Sequence, residues 1–366
     1  MSLKKIPKGP LKEGFTTGTS ATAAVKAGLL SIITQTKQER VKVQLPIDKV
    51  LTIDVFRNEF TSHFARTSVI KDAGDDPDVT NGAEVGAEIQ LTTNRDIVFL
   101  AGEGVGTVTL PGLELNVGEP AINPVPRKMM TSAVQKLLSD YDLECGLQIS
   151  VFVTNGKALA KRTLNERVGI FHGLSILGTS GIVKPYSSSS YIASIEQGVD
   201  VAVANGITEL VINSGARSEK HIRALLPDLT EQSFIHYGNW IGETLRKIES
   251  SKIERVTIGI MLGKAVKLAF GRTDTHSCVS SWNKDFIVDV AKECGYDSTY
   301  TEQIYGLNMA GRLIELFEFN QTEIFYQTLL HHCFTQCRLL MQTQELSIYL
   351  IGKTGEFIKY NEQLWE

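Results

Sequence analysis

The chain has 366 residues, of which 42% are apolar and 21% are charged, and its formal net charge at pH 7 is −4. This length predicts two domains of roughly 150–200 residues each, and the composition is typical of a folded protein. The negative charge argues against a nucleic-acid binder, which would need a basic face. Because no apolar run reaches the roughly 18 residues that a bilayer requires, the sequence predicts no membrane span.

The sequence predicts a cytoplasmic protein. The segment Met1–Lys12 carries lysines but lacks the apolar stretch of a secretory signal. The five cysteines are scattered and form no CxxC pair, which suits a reducing compartment.

Strands dominate the predicted elements of the first half, with two helices between them. The helices run from about Ser20 to Ile33, where alanine is frequent, and from about Pro126 to Asp140, after a proline start signal. Asn155-Gly156 predicts a hairpin. The predicted strands, rich in β-branched residues, are 41–45, 50–57, 64–70, 97–100, 149–154 and 158–162. This mixture indicates an α+β domain.

Helices and strands alternate in the second half, which predicts a parallel sheet of the α/β type. A proline followed by a serine run marks Tyr186–Ser190 as the linker, so the predicted domains are 1–189 and 190–366. A closing hairpin, 348–351 with 357–358, is predicted at an edge. The predicted helices are 192–204, 219–226, 241–248, 263–270 and 284–294, and the strands are 210–212, 234–236 and 256–260.

The segment Gly14–Ser20 places glycines and hydroxyl side chains directly before the alanine-rich helix. Thr19 or Ser20 is predicted to cap that helix. Two interpretations stand: an ordinary cap with a tight turn, or a helix N-terminus that accepts an anion.

Four carboxylates crowd the segment Asp72–Gly82. The spacing and the terminal glutamate of an EF-hand are missing, so the sequence favours a solvated acidic loop over a metal site. A third interpretation has Asp75 or Asp76 facing a cationic ligand or ribose hydroxyls.

Alternating glycines in Ala101–Leu113 suggest either a phosphate-binding loop or a glycine-rich strand edge. The segment matches neither GxGxxG nor the P-loop pattern. Gly352-Lys353-Thr354 also fails as a P-loop, because Ser347 stands where the first glycine belongs.

Three prolines in Gly118–Arg127 lead into a helix whose first turn carries Arg127 and Lys128. Cations at a helix N-terminus oppose the helix dipole. The conflict suggests a role in binding carboxylates, against the alternative of simple exposure.

Three glycine-bearing loops follow three predicted strands: Asn213–Arg217, Tyr237–Gly242 and Met261–Lys264. Ligands of open α/β sheets bind where such loops converge. The segment 274–277 is expected near the same crevice, with His276 interpreted as either structural or catalytic.

Cys333 and Cys337 lie with His331 and His332 on one apolar helical stretch. No second pair of ligands accompanies them, so a core helix is predicted rather than a metal site.

Eight segments in this order resemble the cobalt-precorrin-5B C1-methyltransferase family of anaerobic cobalamin biosynthesis. The resemblance covers nearly the whole chain, and the ordered set is more specific than any one segment. The segments are GFTTGT (14–19), GDDPDVT (74–80), GEGVG (102–106), VGEPAINPVPR (117–127), GTSGIV (178–183), GNWIG (238–242), GKAVKLA (263–269) and THS (275–277).

The resemblance implies S-adenosylmethionine as the methyl donor, cobalt-precorrin-5B as the acceptor and cobalt-precorrin-6A as the product. It also implies an α+β N-terminal domain and a smaller α/β C-terminal domain with a parallel sheet of about four strands. On this basis Asp274 and His276 are the candidate catalytic residues. The candidate donor-binding residues are Gly215, Gly238, Asn239, Gly242 and Gly263. The candidate acceptor-binding residues, chosen for a carboxylate-rich macrocycle, are Thr17, Thr19, Ser20, Arg127, Lys128, Lys264, Lys267 and Arg272.

Two positions depart from the family pattern: Ser20 stands where cysteine is usual, and Asp274 where histidine is usual. A thiol at position 20 is therefore not obligatory, and Ser20 is expected to serve as a hydroxyl donor or cap. The expected partner is the corrinoid tetrapyrrole, with no nucleic acid, membrane or protein-bound metal, and a homo-oligomer stays open. The alternatives are a non-catalytic corrinoid-binding protein and a small-molecule kinase that uses Gly102–Gly106.

Overall fold

The computed structural model describes residues 9–276 and 281–365, and the chain divides into two compact units. The first unit ends at Ser188 and the second begins at Ser189. Both units combine helices with strands, which confirms the mixed α/β class predicted from the sequence.

A five-stranded sheet forms the centre of the first unit. The strands in the described part of this unit are β1 (Gly14–Phe15), β2 (Arg40–Gln44), β3 (Val50–Asp54), β4 (Arg57–Phe60), β5 (Phe64–Ile70), β6 (Glu84–Thr92), β7 (Ile97–Ala101), β8 (Thr107–Val108), β9 (Gly146–Val153), β10 (Ile170–Phe171) and β11 (Ile182–Val183). The central order is β4-β5-β6-β9-β7, antiparallel except for the parallel pair β7–β9. Three short antiparallel pairs, β1–β11, β2–β3 and β8–β10, complete the strands.

The helices described in this unit are α1 (Thr17–Thr34), α2 (Pro124–Asp140) and α3 (Gly156–Ala160). Helix α1 is almost wholly buried because its small side chains let it lie directly on the sheet. At Gly28 even a Cβ atom would lie 2.5 Å from Ile89 Cδ1 and 2.9 Å from Thr67 Oγ1. The core of the unit lies between this helix and the strands β5, β6 and β9.

Two predictions for this unit are wrong. The hairpin after Asn155 does not form: Asn155 adopts φ 59°, which asparagine tolerates, and the chain turns into α3 instead of a second strand. Strand β6 was not predicted, and the single strand predicted over 50–57 is split into β3 and β4.

The second unit has a five-stranded sheet in the order β13-β12-β14-β15-β16. Its strands are β12 (Glu209–Asn213), β13 (Phe234–His236), β14 (Arg255–Met261), β15 (Glu345–Ile351) and β16 (Phe357–Lys359). The first four strands in this order are parallel, and β16 pairs antiparallel with β15 as the edge. The predicted closing hairpin is therefore present, but β15 is also a strand of the parallel sheet.

Helices cover both faces of this sheet. Those described are α4 (Ser188–Ala204), α5 (Ala216–Leu225), α6 (Ile241–Glu249), α7 (Leu262–Ala269), α8 (Lys284–Glu293), α9 (Ser298–Gly306) and α10 (Ile324–Arg338). On one face, Ile222 of α5 packs on Val211 and Phe234. Helices α4, α6, α7, α8 and α10 contribute to the core on the other face, where Cys333 and Cys337 are fully buried, which confirms the predicted core helix.

Candidate functional site

The strand order of the second unit creates a crevice at the carboxyl ends of its parallel strands. From β12 the chain passes through α5 to β13 on one side, and from β13 it crosses through α6 to β14 on the other side of β12. The neighbouring strands β12 and β14 therefore send their loops to opposite faces of the sheet, the first to α5 and the second to α7. Open α/β sheets bind their ligands at such a switch point.

The Lys264 side chain joins two segments beside this crevice. Its ammonium group donates to the Gly238 carbonyl at 2.7 Å and to Asn239 Oδ1 at 2.6 Å. A third bond of 3.0 Å reaches Thr275 Oγ1. Because a lysine ammonium has three donors, these acceptors saturate it and fix the loop after β13 against residue 275.

Burial and, to a smaller extent, the nearby charge of Lys267 lower the pKa of Lys264 to about 8, whereas Asp274 acts in the opposite direction. The side chain is therefore mostly charged at pH 7 and loses its proton within a mildly alkaline range. The ammonium donates three charge-assisted hydrogen bonds within the protein, and its predicted role in binding the methyl acceptor stays a prediction.

The segment 273–276 docks against the loop that follows β13. Thr275 N donates to the Asn239 carbonyl at 2.9 Å, and Asp274 forms a backbone bridge with Trp240. Lys267 Nζ donates to the Thr275 carbonyl at 3.1 Å. His276 N donates to Asp274 Oδ1 at 2.9 Å. The structure thus brings together Gly238, Asn239, Gly242, Lys264, Lys267, Asp274 and His276; Ser277 and Cys278 lie outside the described residues.

The glycines predicted to bind the donor differ in the space around them. At Gly238, which has φ 58°, a Cβ would lie 2.8 Å from the Tyr191 ring, so this glycine serves close packing. At Gly242 a Cβ would lie 2.6 Å from Thr273 Cβ. Gly215 and Gly263 have nothing within 4 Å of such an atom. Only this second pair leaves open space at the crevice.

A cavity of about 350 Å³ opens at the carboxyl ends of β14 and β15. Two of the residues that line it are cationic, Arg217 from α5 and Lys353 from the loop after β15. Its lining residues are Arg217, Met261, Leu262, Gly263, Gly311, Ile314, Phe319, Ile351, Gly352 and Lys353. Arg217 ends one of the three loops that the sequence predicted at the crevice, whereas Lys353 was not a candidate from the sequence. The missed signal is that Gly352-Lys353 follows a parallel strand, like the three loops that the sequence did identify.

A buried polar cluster fixes the turn between β12 and α5. Asn213 Oδ1 accepts from Gly215 N at 3.0 Å and from Ser218 Oγ at 3.2 Å. Glu219 pairs with Arg223 at 2.8 Å and with His236 Nε2. These bonds hold the crevice wall rigid, and the sequence pattern did not reveal them.

Arg272 lies at the margin of this region. Its guanidinium carbon is 5.5 Å from the centroid of the Phe270 ring, and its side chain is exposed. The Arg272 side chain takes no part in the hydrogen bonds that Lys264 makes to Gly238, Asn239 and Thr275.

In the first unit, the predicted cap of α1 is wrong. Thr16, not Thr19 or Ser20, is the N-cap, and its side chain accepts from Thr19 N at 3.2 Å. Gly18 N donates to the Leu177 carbonyl at 3.0 Å, so protein acceptors occupy the first-turn amides that an anion would need.

The hydroxyl groups in this turn are also used within the protein. Thr17 Oγ1 donates to the Leu177 carbonyl, Thr19 Oγ1 to the Gly181 carbonyl, and Ser20 Oγ to the Thr16 carbonyl. Thr19 and Ser20 have no exposed surface. Contact of these side chains with an acceptor stays a prediction, and no described contact favours it.

Arg127 holds its own approach loop. Its guanidinium donates to the carbonyls of Ile122 at 2.7 Å and Pro120 at 3.0 Å, and reaches Glu119 at 3.3 Å. These bonds offset the unfavourable position at a helix start. Lys128, one residue further on, is exposed, and its binding role stays a prediction.

The carboxylates of the acidic segment 72–82 are bonded to other groups of the first unit. Asp72 pairs with Lys12 at 2.6 Å, Asp75 accepts from Lys12 N, and Asp76 accepts from Tyr186 N. Asp78 pairs with the buried Lys71 at 2.5 Å. Burial would raise the pKa of Asp78, but the charge and hydrogen bonds of Lys71, with those of Thr80, hold it below its usual value. Among the described residues, no cluster of three or more acidic, histidine or cysteine side chains is arranged to hold a metal ion.

The glycines of 102–106 pack against backbone, as the strand-edge interpretation predicts. Gly102 N donates to Val151 O, and Gly106 N donates to Leu174 O. A Cβ at Gly102 would lie 2.7 Å from Val151 O. Because these two amides already have backbone partners, the contacts favour the strand-edge interpretation over a phosphate-binding loop.

A parallel sheet with glycine-bearing loops around a crevice is typical of enzymes that bind small molecules. The family model CbiD matches residues 4–185. A cobalt-precorrin-5B C(1)-methyltransferase from Priestia megaterium is 40% identical over 90% of this chain and 91% of its own length. Another, from Prosthecochloris aestuarii, is 43% identical with the same coverages. The chain belongs to the cobalt-precorrin-5B C(1)-methyltransferase family.

A solved structure of a cobalamin biosynthesis protein (cbiD) from Archaeoglobus fulgidus is 29% identical and covers 79% of this chain and 86% of its own length. The TM-score between the two structures is 0.40. No helix within residues 9–276 and 281–365 has the length and hydrophobicity needed to cross a membrane.

Proposed function

We propose that this chain methylates C1 of cobalt-precorrin-5B with S-adenosylmethionine and yields cobalt-precorrin-6A in anaerobic cobalamin biosynthesis. The observation that carries the proposal is the 40–43% identity to two enzymes of that name across nine-tenths of the chain. We further propose that the protein works in the cytoplasm and that its two units are an α+β domain and an α/β domain.

The donor is placed in the crevice of the second unit, at Gly215, Gly263 and the adjoining cavity. Two observations support this placement: open space at both glycines and a volume of about 350 Å³. Ligand pockets of roughly 300–1,000 Å³ hold small molecules, so the cavity suits a donor better than a whole macrocycle.

An electron-rich ring carbon attacks the methyl group of the sulfonium in line, so that the new C–C bond forms as the C–S bond breaks and S-adenosylhomocysteine leaves with the electron pair. The protein therefore needs no covalent nucleophile and acts mainly by orientation and by excluding water. Lys264 keeps the loop after β13 in place through its three hydrogen bonds. Asp274 and His276 lie on either side of Thr275, which accepts one of these bonds. We assign both residues to positioning the reactants.

The direct test is incubation of the protein with methyl-labelled S-adenosylmethionine and cobalt-precorrin-5B, followed by mass analysis of the corrinoid. A product heavier by one labelled methyl group at C1 is expected. Tight corrinoid binding without any methylated product would instead support a carrier protein and overturn the proposal.

A further inference from the structure

Two cationic residues line the cavity of the second unit. Arg217 lies in the first turn of α5, and Lys353 lies in the loop after β15. Arg217 Nη2 donates to the Lys353 carbonyl at 3.2 Å, which fixes the guanidinium beside this loop. Among the described residues that line the cavity, none is acidic.

The start of α7 adds to this positive potential. Leu262 and Gly263 of its first turn line the cavity. Met261 is the N-cap and makes no side-chain cap bond, and the first turn holds no acidic residue. The first amides of a helix lack intrahelical partners and carry a partial positive charge.

Two carboxylates lie close to these cations: Glu315 is within the electrostatic reach of Lys353, and Glu356 has its Oε2 beside Gly352. Arg312 donates two hydrogen bonds to Glu315, at 2.9 and 2.7 Å to separate oxygens. Glu356 accepts from Thr354 N at 3.0 Å. The apolar residues Ile314, Phe319 and Ile351 also line the cavity.

We propose that Arg217 and Lys353 form a carboxylate-binding subsite of the crevice. This inference rests on the proposed function, because both reactants carry carboxylates: the donor at its amino-acid end, and the acceptor on its acetate and propionate groups. The planar guanidinium of Arg217 is suited to grip a carboxylate through two hydrogen bonds, and Lys353 adds a second charge.

The test compares two nucleosides that differ in that carboxylate. S-adenosylhomocysteine carries the amino-acid end, and 5′-methylthioadenosine lacks it. Both nucleosides are titrated calorimetrically into the wild type, Arg217→Gln and Lys353→Gln. The affinities show whether the subsite holds the carboxylate of the donor or one of the acceptor. If the subsite holds the donor carboxylate, Arg217→Gln weakens S-adenosylhomocysteine binding roughly tenfold to a hundredfold and leaves methylthioadenosine binding unchanged.

The second arm measures the acceptor. If the subsite holds an acceptor carboxylate, S-adenosylhomocysteine affinity stays the same, and KM for cobalt-precorrin-5B rises with little change in kcat. Arg217→Lys should then recover part of the loss in either arm, because it retains the charge without the planar fork.

Lys220→Gln is the matched control, since Lys220 is an exposed cation on the same helix and does not line the cavity. If Arg217→Gln and Lys353→Gln both fold and both keep the wild-type affinity for S-adenosylhomocysteine and the wild-type KM for cobalt-precorrin-5B, the proposed subsite is wrong. If the wild type fails to methylate but the two nucleosides still differ through Arg217, the proposed function fails while the subsite stands.

Discussion

Two glycine-containing helix starts, one in each unit, look alike in the sequence and differ in the structure. At the start of α1, Gly18 lies against Pro126 and the hydroxyls of the turn bond to backbone. At the start of α7, Gly263 faces open space beside a cavity. The first glycine permits packing and the second permits access, so a glycine in the first turn of a helix does not by itself indicate a binding site.

The largest expected effect is on stability, from Gly18→Leu. A Cβ at this position would lie 2.6 Å from the Pro126 ring, which cannot move away without shifting α2. Overpacking of this kind should lower the free energy of unfolding by about 3 kcal/mol. Urea unfolding measures it, with Gly306→Leu as the control, because nothing lies within 4 Å of a Cβ there. An unchanged midpoint would show that this turn is not a packing contact.

Lys264→Met should have an intermediate effect that depends on pH. The folded-state pKa is about 8 and the ordinary value is 10.5, so between these pH values the unfolded chain binds more protons. Wild-type stability therefore rises with pH in this window relative to the variant, by less than about 1.4 kcal/mol per pH unit.

Urea unfolding of both proteins from pH 7 to pH 10 tests this difference, with the exposed lysine variant Lys252→Met as the control. A constant gap between wild type and Lys264→Met would contradict the account of a partly buried ammonium. We also expect a raised donor KM at pH 7, because three acceptors around the crevice lose their shared donor.

The smallest effect is expected from Ser20→Ala. The side chain is fully buried and makes one hydrogen bond of 3.0 Å, to the Thr16 carbonyl. Its loss should lower stability by about 1 kcal/mol and leave kcat unchanged. A large fall in kcat with normal stability would instead place Ser20 in the chemistry.

The sequence predicted elements better than contacts. Loop convergence at the carboxyl ends of β12, β13 and β14 followed from alternation of helices and strands, and the structure has these loops there. The use of each side chain did not follow, because partners such as Leu177 and Gly181 lie about 160 residues from Thr17 and Thr19 along the chain. Periodicity carries no information on such long-range bonds.

Asn155 illustrates the same limit for local signals. Asn-Gly is the sequence of a tight hairpin, yet the backbone of Gly156 packs on Gly104 and the chain continues as a helix. The packing of this segment against the rest of the unit therefore outweighs the preference of the Asn-Gly pair for a hairpin turn.

The most direct test of the placement in the second unit is donor affinity in Gly263→Leu. The new side chain has room at its base and would extend into the space at the cavity, so the fold should be preserved. Titration with S-adenosylhomocysteine should show affinity at least about tenfold weaker than that of the wild type and of the control Gly306→Leu. Equal affinity in a folded Gly263→Leu protein would contradict the placement of the donor in this crevice.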